Sequence, residues 1–341
     1  MTRRAVLICP GRGTYNKPEL GYLGRHHGGH PLLARFDALR RDADQTPVTD
    51  LDSAARFSNA IHTVGDAASP LIYAASYLDA QALADDIEVV AVTGNSMGWY
   101  IALAAGGALS AENGFTVVNT MGRLMQEASI GGQLVYPCVG ADWVPDMARR
   151  DDLLAIVAGI DGTQGVLRLS IDLGGMLVLA GDEAGLKAFE TAVPRLEDRF
   201  PMRLPHHAAF HTALQAPVAK AGRAALPADM FTQPNLPMID GRGAIWWPGA
   251  SDPGALWRYT LDHQVVETYD FTHAIQIAAR EFAPDLFIVT GPGGTLGGAV
   301  AQSLVAGNWL GMNDKAAFQK RQEAAPLLIS MGREDQRALV T

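Results

Sequence analysis

Gly94-Asn95-Ser96-Met97-Gly98 is the stretch whose residue types could most directly do chemistry. It lies between an apolar run, Val89-Val90-Ala91-Val92, and a helix-forming run over residues 99–105. A strand, a tight turn and a helix, with a serine at the turn, make a nucleophile elbow. The glycines flank the serine because side chains there would collide with the turn. The hydroxyl is lifted clear of the sheet, and the helix beyond it offers N–H groups and partial positive charge to a developing oxyanion. The plainer alternative is a glycine-rich turn with a structural serine, since 36 of the 341 residues are glycine. The strand before the serine and the small-residue helix after it favour the elbow.

A nucleophilic serine needs a base. His211 stands in Phe210-His211-Thr212 and is the candidate. His206 and His207 lie close by, but Ala208 and Ala209 give them no polar relay, so both read as structural or exposed. His26, His27 and His30 sit among glycines with no carboxylate or cysteine at ligand spacing, so a solvated loop is the better reading than a metal site. Pro10-Gly11-Arg12-Gly13-Thr14 follows an apolar run. It lacks the third glycine of a dinucleotide fingerprint and the Lys-Ser/Thr of a P-loop, which leaves a backbone loop lying close to a substrate.

The elements that must position these residues read as an open α/β sheet. Residues 5–9 and 285–290 are short, continuous apolar runs, hence buried strands. Each ends, like residues 89–92, in a glycine-rich loop, and the three loops would converge at the carboxyl edge of the sheet. Residues 54–84 read as helices, the second started by Pro70, and Ser110 caps a helix over about 111–127. Between residues 133 and 205 the texture changes. Strand-like runs at 134–136, 154–157, 166–169 and 176–179 alternate with helix-like runs at 143–150 and 183–192, which predicts a small α+β insert. The domains expected are a core of 1–130 with 204–312, the insert 131–203, and a C-terminal helix or tail 313–341.

Composition bounds the function. A net charge of -9 argues against a nucleic-acid partner, and no apolar run is long enough to span a bilayer. Cys9 and Cys138 lack partners at metal or redox spacing, and only five apolar residues precede Pro10, too few for a signal-peptide core; a cytoplasmic location is expected.

Taken together, Pro10-Gly11-Arg12-Gly13, the elbow with residues 100–110, Gly122-Arg123-Leu124-Met125-Gln126-Glu127, Phe210-His211-Thr212, Gln264 and Gly291-Pro292-Gly293 resemble the malonyl-CoA:acyl-carrier-protein transacylase family over about residues 5–310. That family includes the acyltransferase domains of fatty-acid and polyketide synthases. The resemblance implies an α/β-hydrolase-like core with an inserted ferredoxin-like α+β subdomain. It implies Ser96 as nucleophile and His211 as general base. It further implies an oxyanion hole from the backbone N–H groups of Arg12 and Met97, and a backbone carbonyl of Gln264 orienting the histidine. The partners implied are an acyl-CoA and an acyl carrier protein, with coenzyme A entering as substrate and no metal or redox cofactor. Docking the acidic carrier protein calls for a basic patch, for which Arg149-Arg150 or Arg195, Arg199 and Arg203 are candidates.

Three departures bear on the acyl group. Met121 stands where malonyl-selective relatives carry the arginine that clamps the substrate carboxylate. Asn95 and Trp99 replace the usual histidine and glutamate around the serine, and Arg12 replaces a glutamine. Either Arg12 supplies the lost cation and malonyl is kept, or Met121 and Trp99 line an apolar pocket for a neutral acyl group. Phe210, before the histidine, is the choice of malonyl-type domains and favours a small acyl group, and Asn95 counts with these residues as part of the acyl pocket. Two other functions compete with acyl transfer: hydrolysis of acyl-carrier-protein thioesters at the same Ser-His site, and carrier-protein binding without catalysis.

Overall fold

The computed structural model describes residues 2–341. Among the described residues there are eleven strands: β1 (Arg3–Cys9), β2 (Ile87–Gly94), β3 (Gly132–Pro137), β4 (Leu167–Leu173), β5 (Met176–Gly181), β6 (Met202–Arg203), β7 (Met238–Ile239), β8 (Ile245–Trp246), β9 (Tyr269–Asp270), β10 (Leu286–Val289) and β11 (Leu328–Ser330). They form two sheets. The larger runs β11-β10-β1-β2-β7-β8, parallel except for the β7–β8 hairpin. Residues Ala5 to Ile8 of β1 are almost wholly buried, as an unbroken apolar run flanked by strands and covered on both faces must be. Because β1 and β2 are parallel neighbours, the loops after Cys9 and Gly94 emerge side by side.

The smaller sheet has the order β6-β3-β5-β4, antiparallel throughout, with the helices Met147–Ile160 and Glu183–Ala192 in the crossovers. This βαββαβ pattern is the ferredoxin-like arrangement. β9 then adds to β4 in parallel, so a piece of chain from the core segment completes the small sheet.

Several expectations are corrected. Residues 154–157, read as a strand, belong to the helix Met147–Ile160. The Asp146 carboxylate caps its start by accepting from the Arg149 N–H, and Leu153, Val157 and Ile160 are its buried side, a spacing of four and three. Of the helix expected over 143–150, only residues 147–150 are helical, as the start of this same element. Pro70 does not start a helix but lies inside Gly65–Gln81. The N–H that proline lacks leaves the Asp66 carbonyl free, and the buried Arg40 guanidinium donates to it at 2.6 Å. The histidine-bearing loop contains a short helix, Tyr22–His27, and His27 is buried. Residues 313–341, expected as a C-terminal helix or tail, do hold a helix, Lys315–Ala324, and then supply β11 to the large sheet.

Candidate active site

Ser96 occupies the left-handed region, with φ 56°. The chain there is so tight that a Cβ on Gly94 would lie 2.2 Å from the Gly98 carbonyl, and one on Gly98 2.1 Å from the Cys9 carbonyl oxygen. Glycine at both positions is therefore steric necessity, and the turn is the elbow that the sequence predicts. The helix Gly98–Ala105 begins directly beneath the serine.

His211 also has a positive φ, 57°, a conformation that costs about 1–3 kcal/mol and persists because its surroundings hold it. Its main-chain N–H donates to the Val265 carbonyl and its Nδ1–H to the Gln264 carbonyl at 2.6 Å. Both acceptors belong to the end of the helix Gln264–Val266, whose last carbonyls have no partner within the helix. With Nδ1 committed as donor, Nε2 accepts from the Ser96 hydroxyl at 2.7 Å. The His211 ring is buried, which pushes its conjugate acid down to about 4 against the lesser upward effect of the Gln264 hydrogen bond. It is the neutral, proton-accepting form near neutral pH.

A further ring of contacts holds this pair. The Gln264 amide donates to the Ser96 carbonyl at 3.0 Å and its Oε1 accepts from the Tyr100 hydroxyl at 3.0 Å. The Tyr269 hydroxyl donates to the Gly94 carbonyl at 2.5 Å. Tyr100 lies one helical turn beyond Ser96, a spacing visible in the sequence; nothing there singles out Tyr269.

A cavity of about 20 Å³ opens beside Ser96, lined by Arg12, Ser69, Met125, Phe210 and Val265 among others. The main-chain N–H groups of Arg12 and Met97 donate to no acceptor of the chain among the described residues. A second cleft, of about 530 Å³, shares His211 with this cavity and is walled by Asp161, Arg168, Thr212, Glu267 and Thr268.

The residues expected to shape the acyl pocket divide. Arg12 and Phe210 line the cavity, with the guanidinium 5.5 Å from the ring centroid. Met121 does not: it is buried with its sulfur against Gly222, while Gly122 and Met125 of the same helix face the cavity. Trp99 is a core residue, its Nε1–H donating to Thr260 Oγ1 at 3.0 Å. Asn95 is half-buried and does not line the cavity either; its carbonyl packs on Gly11. The apolar pocket built from Met121 and Trp99 is therefore absent.

The third glycine loop also departs from expectation. Gly291 N–H donates to Asp79, which accepts as well from Tyr22, His27 and Arg337, so this loop closes a buried polar knot rather than the site. His206 is exposed, and His207 pairs with the Gln133 amide oxygen at 2.8 Å. Of the candidate basic patches, Arg150 is bound to Asp172, Arg203 to Glu183 and Glu190, and Arg199 to Glu197, which leaves Arg149 and Arg195 without a carboxylate among the described residues. Both cysteines are buried, and burial pushes the Cys9 thiol up to about 12, so it is inert. Among the described residues, no cluster of metal-ligating side chains is found, and no helix is long and apolar enough to cross a membrane.

A large α/β sheet carrying a serine elbow, together with a ferredoxin-like sheet, is a fold shared with solved acyltransferase structures. The acyl-carrier-protein S-malonyltransferase of Burkholderia pseudomallei superimposes with a TM-score of 0.72 at 22% identity, covering 94% of this chain and 99% of its own. The malonyl-CoA:acyl carrier protein transacylase of Xanthomonas oryzae gives 0.73 at 19% identity, with 99% and 98% covered. An acyltransferase domain of the salinomycin polyketide synthase gives 0.69 at 19% identity, covering 98% of this chain and 70% of its own. No protein-family model matches the chain, and no curated protein sequence matches it significantly.

Proposed function

We propose that the protein is an acyltransferase that moves a short acyl group from coenzyme A to the phosphopantetheine thiol of an acyl carrier protein through an ester on Ser96. The observation that carries this reading is the aligned chain from Ser96 Oγ through His211 to the Gln264 carbonyl. The fold neighbours, whose names describe malonyl transfer to acyl carrier protein, support it.

In the first half-reaction His211 Nε2 takes the Ser96 proton as Oγ attacks the thioester carbonyl. The oxyanion is received by the N–H groups of Arg12 and Met97. Collapse breaks the carbon–sulfur bond, and the coenzyme A thiolate takes the proton from His211. In the second, the carrier thiol gives its proton to His211 and attacks the ester, and Ser96 recovers its proton on leaving. The Gln264 carbonyl keeps the tautomer fixed without a carboxylate, so the imidazolium forms only transiently. The wide cleft has the volume of a typical ligand channel and suits a pantetheine arm. The cavity beside Ser96 is narrow, which favours a short acyl group.

Intact-protein mass spectrometry after brief exposure to acyl-CoAs tests this. A mass gain of one acyl group, absent in Ser96→Ala and discharged by holo acyl carrier protein, is expected. Release of coenzyme A with no acyl-enzyme and no acyl carrier protein product would instead establish a hydrolase.

A further inference from the structure

Arg12 carries a charge with no counter-charge. Its Nη2 donates to the Thr63 and His206 carbonyls at 3.0 Å each, its Nε is buried without a partner, and no carboxylate lies within 4 Å among the described residues. Two carbonyl dipoles and the Phe210 ring orient the group but do not neutralise it. Ser69, 1% exposed, lines the same cavity, and its Oγ also lacks any hydrogen-bond partner. The two orphans flank one spot. The helices Gly65–Gln81 and Ala111–Ala128 cross there through Gly65 and Gly122: a Cβ on Gly65 would lie 3.4 Å from Arg12 Nη1, and one on Gly122 would lie 2.9 Å from Ser69 Oγ. Such paired vacancies, a cation and a hydroxyl facing a cavity beside a nucleophile, are what a bound carboxylate would satisfy.

We infer that Arg12 and Ser69 together form the recognition site for a free carboxylate at the far end of the acyl group, so that the enzyme selects a short dicarboxylic acyl thioester of the malonyl kind. The inference rests on the acyltransferase reading above and adds the specificity to it. Met121 takes no part, since it faces Gly222. The clamp reaches the substrate from the loop after β1 instead of from the helix Ala111–Ala128, and the Ser69 hydroxyl donates to the second carboxylate oxygen. A neutral acyl group would leave the half-buried guanidinium without a counter-charge and the buried hydroxyl unpaired in the acyl-enzyme, which is the penalty by which polar sites reject analogues lacking the matching group.

The test compares loading of malonyl-CoA with that of malonamyl-CoA, its uncharged isostere, and acetyl-CoA. In the unaltered protein, kcat/KM for coenzyme A release should favour malonyl over both by at least about a hundredfold. Arg12→Gln should shrink that ratio by at least about tenfold, Ser69→Ala by a few-fold, and Arg12→Lys by an intermediate amount. Equal loading of malonyl and malonamyl by the unaltered protein overturns the inference whatever the variants do, and so does an Arg12→Gln ratio equal to that of the parent. Ready loading of acetyl alone would overturn it while leaving the acyltransferase reading standing. If no thioester loads Ser96, the acyltransferase reading falls, and the specificity with it.

Discussion

Arg337, buried, and Arg12, half-buried, both stand beside glycine loops at the carboxyl edge of the same sheet, and the molecule treats them in opposite ways. Arg337 meets Asp79 at 2.7 Å, and that carboxylate is fully closed in by Tyr22, His27 and the Gly291 N–H. Every charge in that knot is answered. Arg12 has carbonyls, an aromatic face and the cavity beside Ser96, and desolvation lowers the guanidinium to about 10. Where a charge serves the fold it arrives with its partner. Where it serves a ligand the partner is left out, and the free protein bears the cost.

The largest effect expected from this contrast is at Asp79. Asp79→Ala would leave Arg337 buried and alone, and thermal or denaturant unfolding should show a loss of about 3–5 kcal/mol. A loss under about 1 kcal/mol would mean the two arginines are not so different. Next comes the pH response on the cavity side. With His211 held at about 4, the acid limb of kcat/KM for acylation should fall near pH 4 instead of near the ordinary 6.5. The same shift means that the unfolded chain binds a proton below about 6.5 that the folded chain refuses, so stability declines as pH drops from there toward 4. An activity midpoint near 6.5 would show the ring to be wetter than its burial implies. Tyr100→Phe, which removes a donor from Gln264 Oε1, should slow acylation up to about tenfold with little change in KM. The smallest shift is expected for Arg12→Gln in unfolding of the free protein: within about 1 kcal/mol, in either direction, because no ion pair is lost. A loss comparable with that of Asp79→Ala would make Arg12 a structural group.

Much of the site was legible because its demands are steric. The elbow announces itself in the glycines at 94 and 98, the apolar strand before them and the helix after them. The helix Glu183–Ala192 and the strands β4 and β5 follow from runs whose composition and period are visible in the sequence. Strands of two residues, β7, β8 and β9, carry no period at all, and they bring Tyr269 to the elbow. Met121 and Trp99 were misplaced for a different reason. The direction of a helical side chain relative to a cavity depends on which neighbour packs on which face, here Gly222 and Thr260, far away in sequence. Ser69 is unremarkable in the sequence; only its isolation in the fold marks it.

The position of β1 has a consequence for how the chain is made. It is synthesised before every other strand among the described residues, yet it lies inside the sheet between β2 and β10. Ala5 pairs with Leu286, which follows roughly 280 positions later. At roughly 5–20 residues per second, one flank of a strongly apolar strand waits about 15–60 s for its neighbour. Closure of this sheet is dominated by distant pairing, which makes folding slow and leaves nascent chains open to edge-to-edge association. The demand this protein places on chaperones is thus set by strand order, independently of anything its active site does.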